Sequence, residues 1–167
     1  PVDLKISPAL RIYGKYKPTL AGRKVGLLLG AGFDAKLKKD LVSQIENEGA
    51  KAAIVTSKIQ GELDAQGQLV PADMALRASP SVLFDAVAIL SGPEGDKKFA
   101  ADPNAIGFVM DAVRHCKAVG FAGIPSLAKA AAMKNEPGVA DVTGKSGVKG
   151  FISDARTGRF WEREIEK

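Results

Sequence analysis

The sequence predicts an α/β fold in which helices cover both faces of a doubly wound parallel sheet. Short, almost continuously apolar runs occur at residues 25–29, 52–55, 86–90 and 118–121. Such runs are typical of strands that are covered on both faces. Segments with apolar residues at helical spacing lie between them, and short turns rich in Gly and Pro join the elements. An alternation of strands and helices predicts a parallel sheet.

Composition and charge limit the possible partners. A chain of 167 residues is long enough for one domain with a real core. No apolar run reaches the roughly 18 residues that a membrane span needs, and residues 1–20 show no secretory signal. We expect no membrane partner and a cytoplasmic location.

The N-terminal residues 1–22 carry three prolines and no clean period, which is typical of an extended arm or linker. We therefore predict an arm at 1–22 and a single domain at 23–167. A modest basic cluster spans the end of the arm and includes two tyrosines: Arg11, Tyr13, Lys15, Tyr16, Lys17, Arg23 and Lys24. A nucleic-acid interface would need a denser basic stripe, so we favour a solvated tail and expect no nucleic-acid partner.

The first predicted unit is strand, helix, strand. Val25–Leu29 is a buried strand, and Asp34 is a natural N-cap for the helix that follows. That helix ends at Gly49 and leads to the strand Ala52–Val55. Its apolar face is formed by Leu37, Leu41, Val42 and Ile45.

The turn Gly30–Gly32 partly matches the G-x-G-x-x-G/A fingerprint of dinucleotide sites, with Ala35 in the third place. In such a site the second strand ends in an acidic residue, whereas Thr56 and Ser57 occupy the corresponding positions here. A nucleotide site here is therefore disfavoured, although a small-molecule site at this turn and at Gly92–Gly95 remains an alternative.

The middle of the chain predicts a hairpin over Glu62–Val70 and a short helix or turn over Pro71–Ala78. A buried strand follows at Ala86–Leu90, and Gly92–Gly95 is expected to be a loop at its carboxyl end. Asp102 then caps a helix whose apolar face is formed by Ile106, Val109, Met110 and Val113.

A strand, a tight turn and a helix are predicted over Lys117–Met133. Ala118–Phe121 is the strand, Ala122 and Gly123 form the turn, and Pro125 suits the first helical position. Many α/β enzymes mount a nucleophile on such a turn. No Ser or Cys occupies it here, and Ser126 falls inside the helix.

The C-terminal quarter is expected to begin with a strand at Val139–Val142. Residues 144–150 are rich in Gly and Lys and are expected to be mobile. Residues 151–155 and 160–165 are interpreted as helical ends or an edge strand, with Trp161 covering the core.

Candidate nucleophiles and bases are few. Ser91 and Ser126 follow strands, but the chain has one histidine, His115, so a Ser-His-Asp set is disfavoured. We interpret His115 and Cys116 as residues at a helix end; a redox-sensing or catalytic thiol at Cys116 is the alternative. One His and one Cys cannot form a four-ligand zinc site.

Three carboxylates, Asp34, Glu94 and Asp96, are expected near strand ends. Asp34 is explained as a helix cap, and Glu94 and Asp96 are interpreted as members of a solvated loop. We therefore predict no catalytic, cofactor-binding or metal-binding residues.

Five sequence segments occur in an order that resembles the C-terminal domain of large-subunit catalases: SPAL, GRKVGLLLGAGFD, DAQGQLVPAD, SVLFDAVAILSG and KAVGFAG. The resemblance runs from about Ser7 to Val142. It implies a flavodoxin-like fold that follows a haem-binding catalase core through a linker. The core would be the main partner, within a parent enzyme that is a homotetramer and decomposes hydrogen peroxide with haem. No haem-ligating Tyr or His-Asn peroxide pair of that core can be matched here.

The resembled domain is also similar to PfpI-type proteases and class I glutamine amidotransferases, which carry a Cys at the turn and an acidic residue in the first helix. By alignment, Phe121 and Leu37 stand at those places, which implies that protease, glyoxalase and amidotransferase chemistry are lost. The resemblance therefore implies a non-catalytic domain that stabilises or assembles the parent. A chaperone role that holds unfolded clients is a further expectation by analogy, and an enzyme or redox sensor that uses Cys116 is the alternative.

Overall fold

The computed structural model describes residues 7–10 and 17–165, with the side chain of Ile165 excepted. It contains a six-stranded parallel sheet and a separate two-stranded hairpin. The strands are β1 (Lys24–Leu29), β2 (Lys51–Thr56), β3 (Glu62–Leu63), β4 (Leu69–Val70), β5 (Met74–Ala75), β6 (Ala86–Leu90), β7 (Val119–Ala122) and β8 (Val139–Asp141). The helices are α1 (Ala35–Asn47), α2 (Pro93–Ala101), α3 (Pro103–Arg114), α4 (Pro125–Ala130), α5 (Gly144–Thr157) and α6 (Glu162–Ile165).

The sheet has the strand order β5-β2-β1-β6-β7-β8. Counted along the chain without the two-residue strand β5, the order is 2-1-3-4-5, which is the flavodoxin-like order of doubly wound sheets. The predicted α/β fold with helices on both faces is therefore confirmed.

Alternation along β1 divides the core into two layers. Leu27 and Leu29 belong to the layer under α1 and α5, whereas Leu28 belongs to the layer under α2, α3 and α4. Because successive strand residues point to opposite faces, a strand buried on both faces must be apolar at every position, as β1 and β6 nearly are.

Several local predictions are confirmed. Asp34 accepts hydrogen bonds from the amides of Lys36 (2.8 Å) and Leu37 (3.0 Å) and so caps α1. Asp102 accepts from the amide of Asn104 and caps α3. The hairpin is present, with Leu63 opposite Leu69.

Four predictions of local structure are wrong or incomplete. Gly92–Gly95 is not a loop, because α2 begins at Pro93. Residues 144–150 form the first half of α5, whose buried face packs on the sheet. The region Pro71–Ala78 contributes β5 as well as a short 3-10 helix, Leu76–Ala78. Helix α4 stops at Ala130, short of Met133.

The arm predicted at 1–22 lies partly outside the described residues, and its division from the domain stays a prediction. Leu20 is fully buried in the core. Of the basic cluster, Arg11, Tyr13, Lys15 and Tyr16 are not among the described residues. Arg23 donates to the carbonyls of Ala155 (2.9 Å) and Arg156 (3.3 Å). The charged group of Arg23 is therefore used in hydrogen bonds within the domain.

At the amino edge of the sheet, where the parallel strands begin, two buried cations hold the chain together. Arg163, 7% exposed, donates to the carbonyls of Pro137 (2.8 Å), Val113 (3.2 Å) and Lys117 (2.6 Å), which ties the C-terminal segment to the start of β7. Burial lowers the pKa of Arg163.

Among the described residues, no helix is both long and apolar enough to cross a bilayer.

Lys117, 1% exposed, donates from Nζ to the carbonyl of Ser81. Burial, with a smaller effect of Arg159, lowers the pKa of Lys117 from 10.5 to about 8. Between about pH 8 and pH 10.5 the unfolded chain therefore keeps a proton that the folded chain has lost. Stability rises with pH wherever the unfolded state binds more protons.

We expect the free energy of unfolding to rise with pH across that window in the wild type, and to rise less in Lys117→Met. One proton accounts for a difference in slope of up to about 1.4 kcal/mol per pH unit. Urea unfolding at several pH values measures both slopes, and Lys129→Met, at an exposed lysine of α4, is the control. Equal slopes for the wild type and Lys117→Met would contradict the assignment.

Candidate functional site

The candidate site lies at the carboxyl edge of the sheet, where α/β proteins bind ligands at a change in strand order. That change falls between β1 and β6. A cavity of about 360 Å³ opens there, lined by loops that follow four strands and by the hairpin turn. Its lining residues include Gly32, Asp34, Leu37, Gln66, Ser91, Gly123 and Thr143.

The turn after β7 is similar to a nucleophile elbow, but it has no position at which a nucleophilic side chain fits. The residue with left-handed backbone is Gly123, with φ of +69°. A Cβ at this glycine would lie 2.1 Å from the carbonyl oxygen of Ser91, so no side chain fits. Phe121, matched to the nucleophile position from the sequence, lies two residues earlier inside β7, opposite Ile89 and Asp141. This placement agrees with the predicted strand Ala118–Phe121, so the residue that alignment matches to the nucleophile position does not lie in the turn itself.

Ser91 is the point at which the loops meet. A Cβ at Gly30 or at Gly95 would lie 2.3 Å from Ser91 Oγ, so the turn after β1 and the first turn of α2 both approach it as closely as a glycine allows. The Ser91 hydroxyl donates to the carbonyl of Gly92 (3.0 Å), and its amide donates to the carbonyl of Ala122 (3.1 Å). Ser91 is 8% exposed, and its side chain fills the space between these loops.

The glycine turn after β1 is also used by the fold. The amide of Gly30 donates to Leu90, the amide of Gly32 to Leu63 and the amide of Phe33 to Gly30. A phosphate cradle needs backbone amides that point freely at the ligand. The partial dinucleotide fingerprint therefore has a structural explanation.

The sequence interpretation placed Glu94 and Asp96 in a solvated loop, whereas both lie in α2. The larger error concerns Asp96. It lies in the first turns of α2 and is 3% exposed, not in a solvated loop. Its two carboxylate oxygens accept hydrogen bonds from the amides of Ser126 and Leu127, each 2.9 Å long. These amides are the unsatisfied donors at the N-terminus of α4. Asp96 therefore caps a helix 30 residues away.

This cap has a chemical consequence. Amides at the N-terminus of the helix after an elbow are the donors that bind anions and stabilise developing negative charge. Here a carboxylate of the same chain occupies two of them. Glu94, by contrast, is exposed and pairs with Lys97 (3.2 Å) on the helix surface.

Ser126, the other candidate nucleophile, lies in the first turn of α4 as predicted, with its amide bound to Asp96. His115 and Cys116 lie at the other edge of the sheet, after the C-terminus of α3. His115 is exposed, and its Nδ1 lies 2.7 Å from the carbonyl oxygen of Asp111. Cys116 is 1% exposed, with Sγ 3.8 Å from Oε1 of Glu164. The prediction that both are helix-end residues is confirmed.

The described residues contain no group of three or more His, Cys, Asp or Glu side chains that could hold a metal ion. At the carboxyl edge, the amides of Gly30, Gly32 and Phe33 and the hydroxyl of Ser91 already pair with carbonyls of the same chain. Sequence reasoning missed the cap by Asp96 because its partners are distant in sequence. Pro93 and the acidic residues after it were the available signal for α2.

We expect Asp96→Asn to destabilise the domain by about 2–3 kcal/mol, because one carboxylate oxygen becomes an NH₂ group that faces an amide donor in a buried position. Glu94→Gln, two residues earlier and exposed, is the matched control and should cost less than about 1 kcal/mol. Urea unfolding of the two variants provides the measurement. Similar losses in both would show that the buried cap contributes no special stability.

The chain matches the family described as the C-terminal domain found in long catalases over residues 21–164. It is 33% identical to Catalase C of Rhizobium meliloti over 97% of this chain and 23% of the relative. It is 30% identical to Catalase-2 of Bacillus subtilis over 98% of this chain and 24% of the relative. The chain thus spans about a quarter of the length of these curated relatives.

Solved structures show the same fold at low identity. A cysteine-to-alanine mutant of a DJ-1 superfamily protein from Salmonella typhimurium is 18% identical, with a TM-score of 0.66 over 78% of this chain and 86% of that chain. A two-domain protein from Anabaena variabilis, containing DJ-1/ThiJ/PfpI-like and ferritin-like domains, is 20% identical, with a TM-score of 0.61 over 68% of this chain and 34% of that chain. The family match covers most of the chain, and the predicted family is confirmed: the chain belongs to the C-terminal domains found in long catalases.

Proposed function

We propose that this domain is a non-catalytic part of a long catalase and that it stabilises or assembles the parent enzyme. The parent decomposes hydrogen peroxide with haem held in its catalase core, and we expect it to be a cytoplasmic homotetramer. The domain at 23–167 holds no cofactor of its own and meets the core of the same polypeptide through the arm at 1–22.

The observation that carries this proposal is the closed turn after β7. A nucleophile at Gly123 would collide with the carbonyl of Ser91. Restoring a reactive side chain would therefore require the loop after β6 to move. The capping of the α4 amides by Asp96 supports the same conclusion independently, because it removes two of the donors that acyl-transfer chemistry needs.

The alternative, an enzyme or redox sensor that uses Cys116, lacks comparable support. A reactive cysteine sits in a partly exposed, electropositive environment. Cys116 is almost fully buried, and it lies near both the carboxylate of Glu164 and the guanidinium group of Arg163. It also lies at the amino edge of the sheet, away from the cavity at the carboxyl edge.

Deletion of residues 20–167 from the full-length enzyme should leave peroxide turnover per haem within about twofold of the wild type. It should shorten the half-life of activity on heating by about fivefold or more, because contacts that slow unfolding are lost. Oxygen release and activity after timed heating measure these two quantities. An unchanged half-life would contradict the stabilising role, and a large loss of turnover with full haem content would contradict the non-catalytic role.

A second candidate role is that of a chaperone which holds unfolded clients. The observation in its favour is exposed apolar surface at the hairpin, where Leu63 and Leu69 are 48% and 59% exposed, and at Ile59 shortly before it, which is 56% exposed. Leu63 and Leu69 are directly opposite on the two strands, so they form a continuous apolar strip.

The isolated chain should then suppress the light scattering of a heat-labile enzyme at near-stoichiometric ratios, relative to a control protein of equal size and charge. The double variant Leu63→Asp, Leu69→Asp should lose most of this effect because it interrupts the apolar strip. The variant Gln66→Asp, Gln68→Asp adds the same charge to the same hairpin and should keep it. Scattering equal to that with the control protein would remove the chaperone role.

A further inference from the structure

After α5 the chain crosses the amino edge of the sheet as a short segment, residues 159–164, which we call the C-terminal strap. The guanidinium of Arg159 donates to the carbonyl of His115 (3.0 Å). The amide of Phe160 donates to the carbonyl of Cys116 (2.8 Å). The strap therefore lies over the connection between α3 and β7.

One buried cation fastens the strap to the domain. The guanidinium of Arg163 donates to carbonyls of three segments that are distant from it in sequence: Val113 in α3, Lys117 before β7 and Pro137 before β8. Its central carbon also lies 5.2 Å from the centroid of the Phe160 ring. Because a guanidinium presents several donors in a fixed planar arrangement, it can hold these carbonyls together in a way that an ammonium cannot.

A glycine separates the strap from α5. Gly158, the C-cap of that helix, has φ of +91° and ψ of −86°, a conformation that residues with a side chain rarely adopt. Beyond this glycine, the hydrogen bonds that hold the strap go to helix ends and connections and not to the ladder of the parallel sheet. A segment that is joined in this way can separate from the domain without breaking the sheet.

The strap conceals the single cysteine of the chain. Cys116 is 1% exposed, and its Sγ lies 3.8 Å from Oε1 of Glu164 in the strap. Phe160 is 8% exposed and packs on Gly138, where a Cβ would lie 2.3 Å from the ring. Because the backbone of Phe160 and the side chain of Glu164 are direct neighbours of Cys116, displacement of the strap uncovers the thiol.

We propose that the C-terminal strap is a conformational device that opens as a unit about Gly158, with Arg163 as its lock, and that this opening controls access to the thiol of Cys116. In the closed form the thiol is shielded. In the open form the guanidinium of Arg163 exchanges carbonyls for water, which recovers part of the cost of burying a charge and keeps the opening less costly than unfolding of the domain. The inference does not depend on the stabilising role proposed above, which the deletion experiment tests.

The first test is the urea dependence of the labelling of Cys116 by N-ethylmaleimide in the full-length haem enzyme, followed by mass spectrometry of the peptide that contains this residue. We expect the rate to change by less than about threefold between 0 and 1 M urea, because opening of the strap exposes little surface. Labelling that requires unfolding of the whole domain would accelerate by about tenfold or more over the same range. That outcome would overturn the proposal.

The second test removes the lock. Arg163→Met should label at least about tenfold faster than the wild type without urea, and Arg163→Lys should show a smaller increase because an ammonium can still reach one carbonyl. Arg77→Met removes an exposed arginine of the same domain and should leave the rate within about twofold. Equal rates for the wild type and Arg163→Met would reject the lock. The urea dependence in the wild type decides between local and global opening even if Arg163→Met fails to fold.

Discussion

The close approach of three loops around Ser91 is the constraint on which the carboxyl edge of this domain depends. The turn after β1, the first turn of α2 and the turn after β7 each contribute a glycine whose Cβ would lie 2.1–2.3 Å from an atom of Ser91. Contacts of that length exclude every other residue type unless a loop moves. Gly95 packs against the Ala31 backbone and Gly123 against the Ser91 carbonyl, whereas Gly30 packs against the side chains of Ser91 and Phe99.

The cap by Asp96 follows from this packing. Only because Gly95 lets α2 approach Ser91 and the Ala31 backbone can the next residue reach the first amides of α4. The carboxylate then satisfies donors that would otherwise be unpaired at a buried helix end, and its charge favours the positive end of the helix. The N-terminus of a helix at this place in an α/β fold can bind an external anion. Here the carboxylate of Asp96 occupies the α4 amides, so the position connects α2 to α4.

The predictability of the fold and of the site differs for a physical reason. The strands and the helices α1 and α3 could be predicted because apolar periodicity and local caps such as Asp34 and Asp102 are encoded within a few residues. Helix α2 was missed because Gly92-Pro93-Glu94-Gly95 has the composition of a turn, and its glycines are needed for contacts with distant segments. The first half of α5 was missed in the same way: its glycines suggested mobility, although Val148, Phe151, Ile152 and Ala155 recur at helical spacing.

The absence of a nucleophile at the turn was predictable from residue types, but its cause was not. The sequence places Phe121, Ala122 and Gly123 in the region, and only the backbone shows that the left-handed position is Gly123. The collision partner, Ser91, is 32 residues away and follows a different strand. Close contacts between loops of a parallel sheet join residues that are separated by a whole helix, so single-sequence patterns carry no signal for them.

The two edges of the sheet therefore do different physical work. At the carboxyl edge, glycines let the loops approach one another closely, and the buried carboxylate of Asp96 satisfies two amides of α4. At the amino edge, the buried cations of Lys117 and Arg163 satisfy backbone carbonyls, while the apolar residues Val82 and Leu83 are exposed. At the edge where α/β proteins commonly bind ligands, this chain therefore uses groups of its turns and helix ends in its own fold.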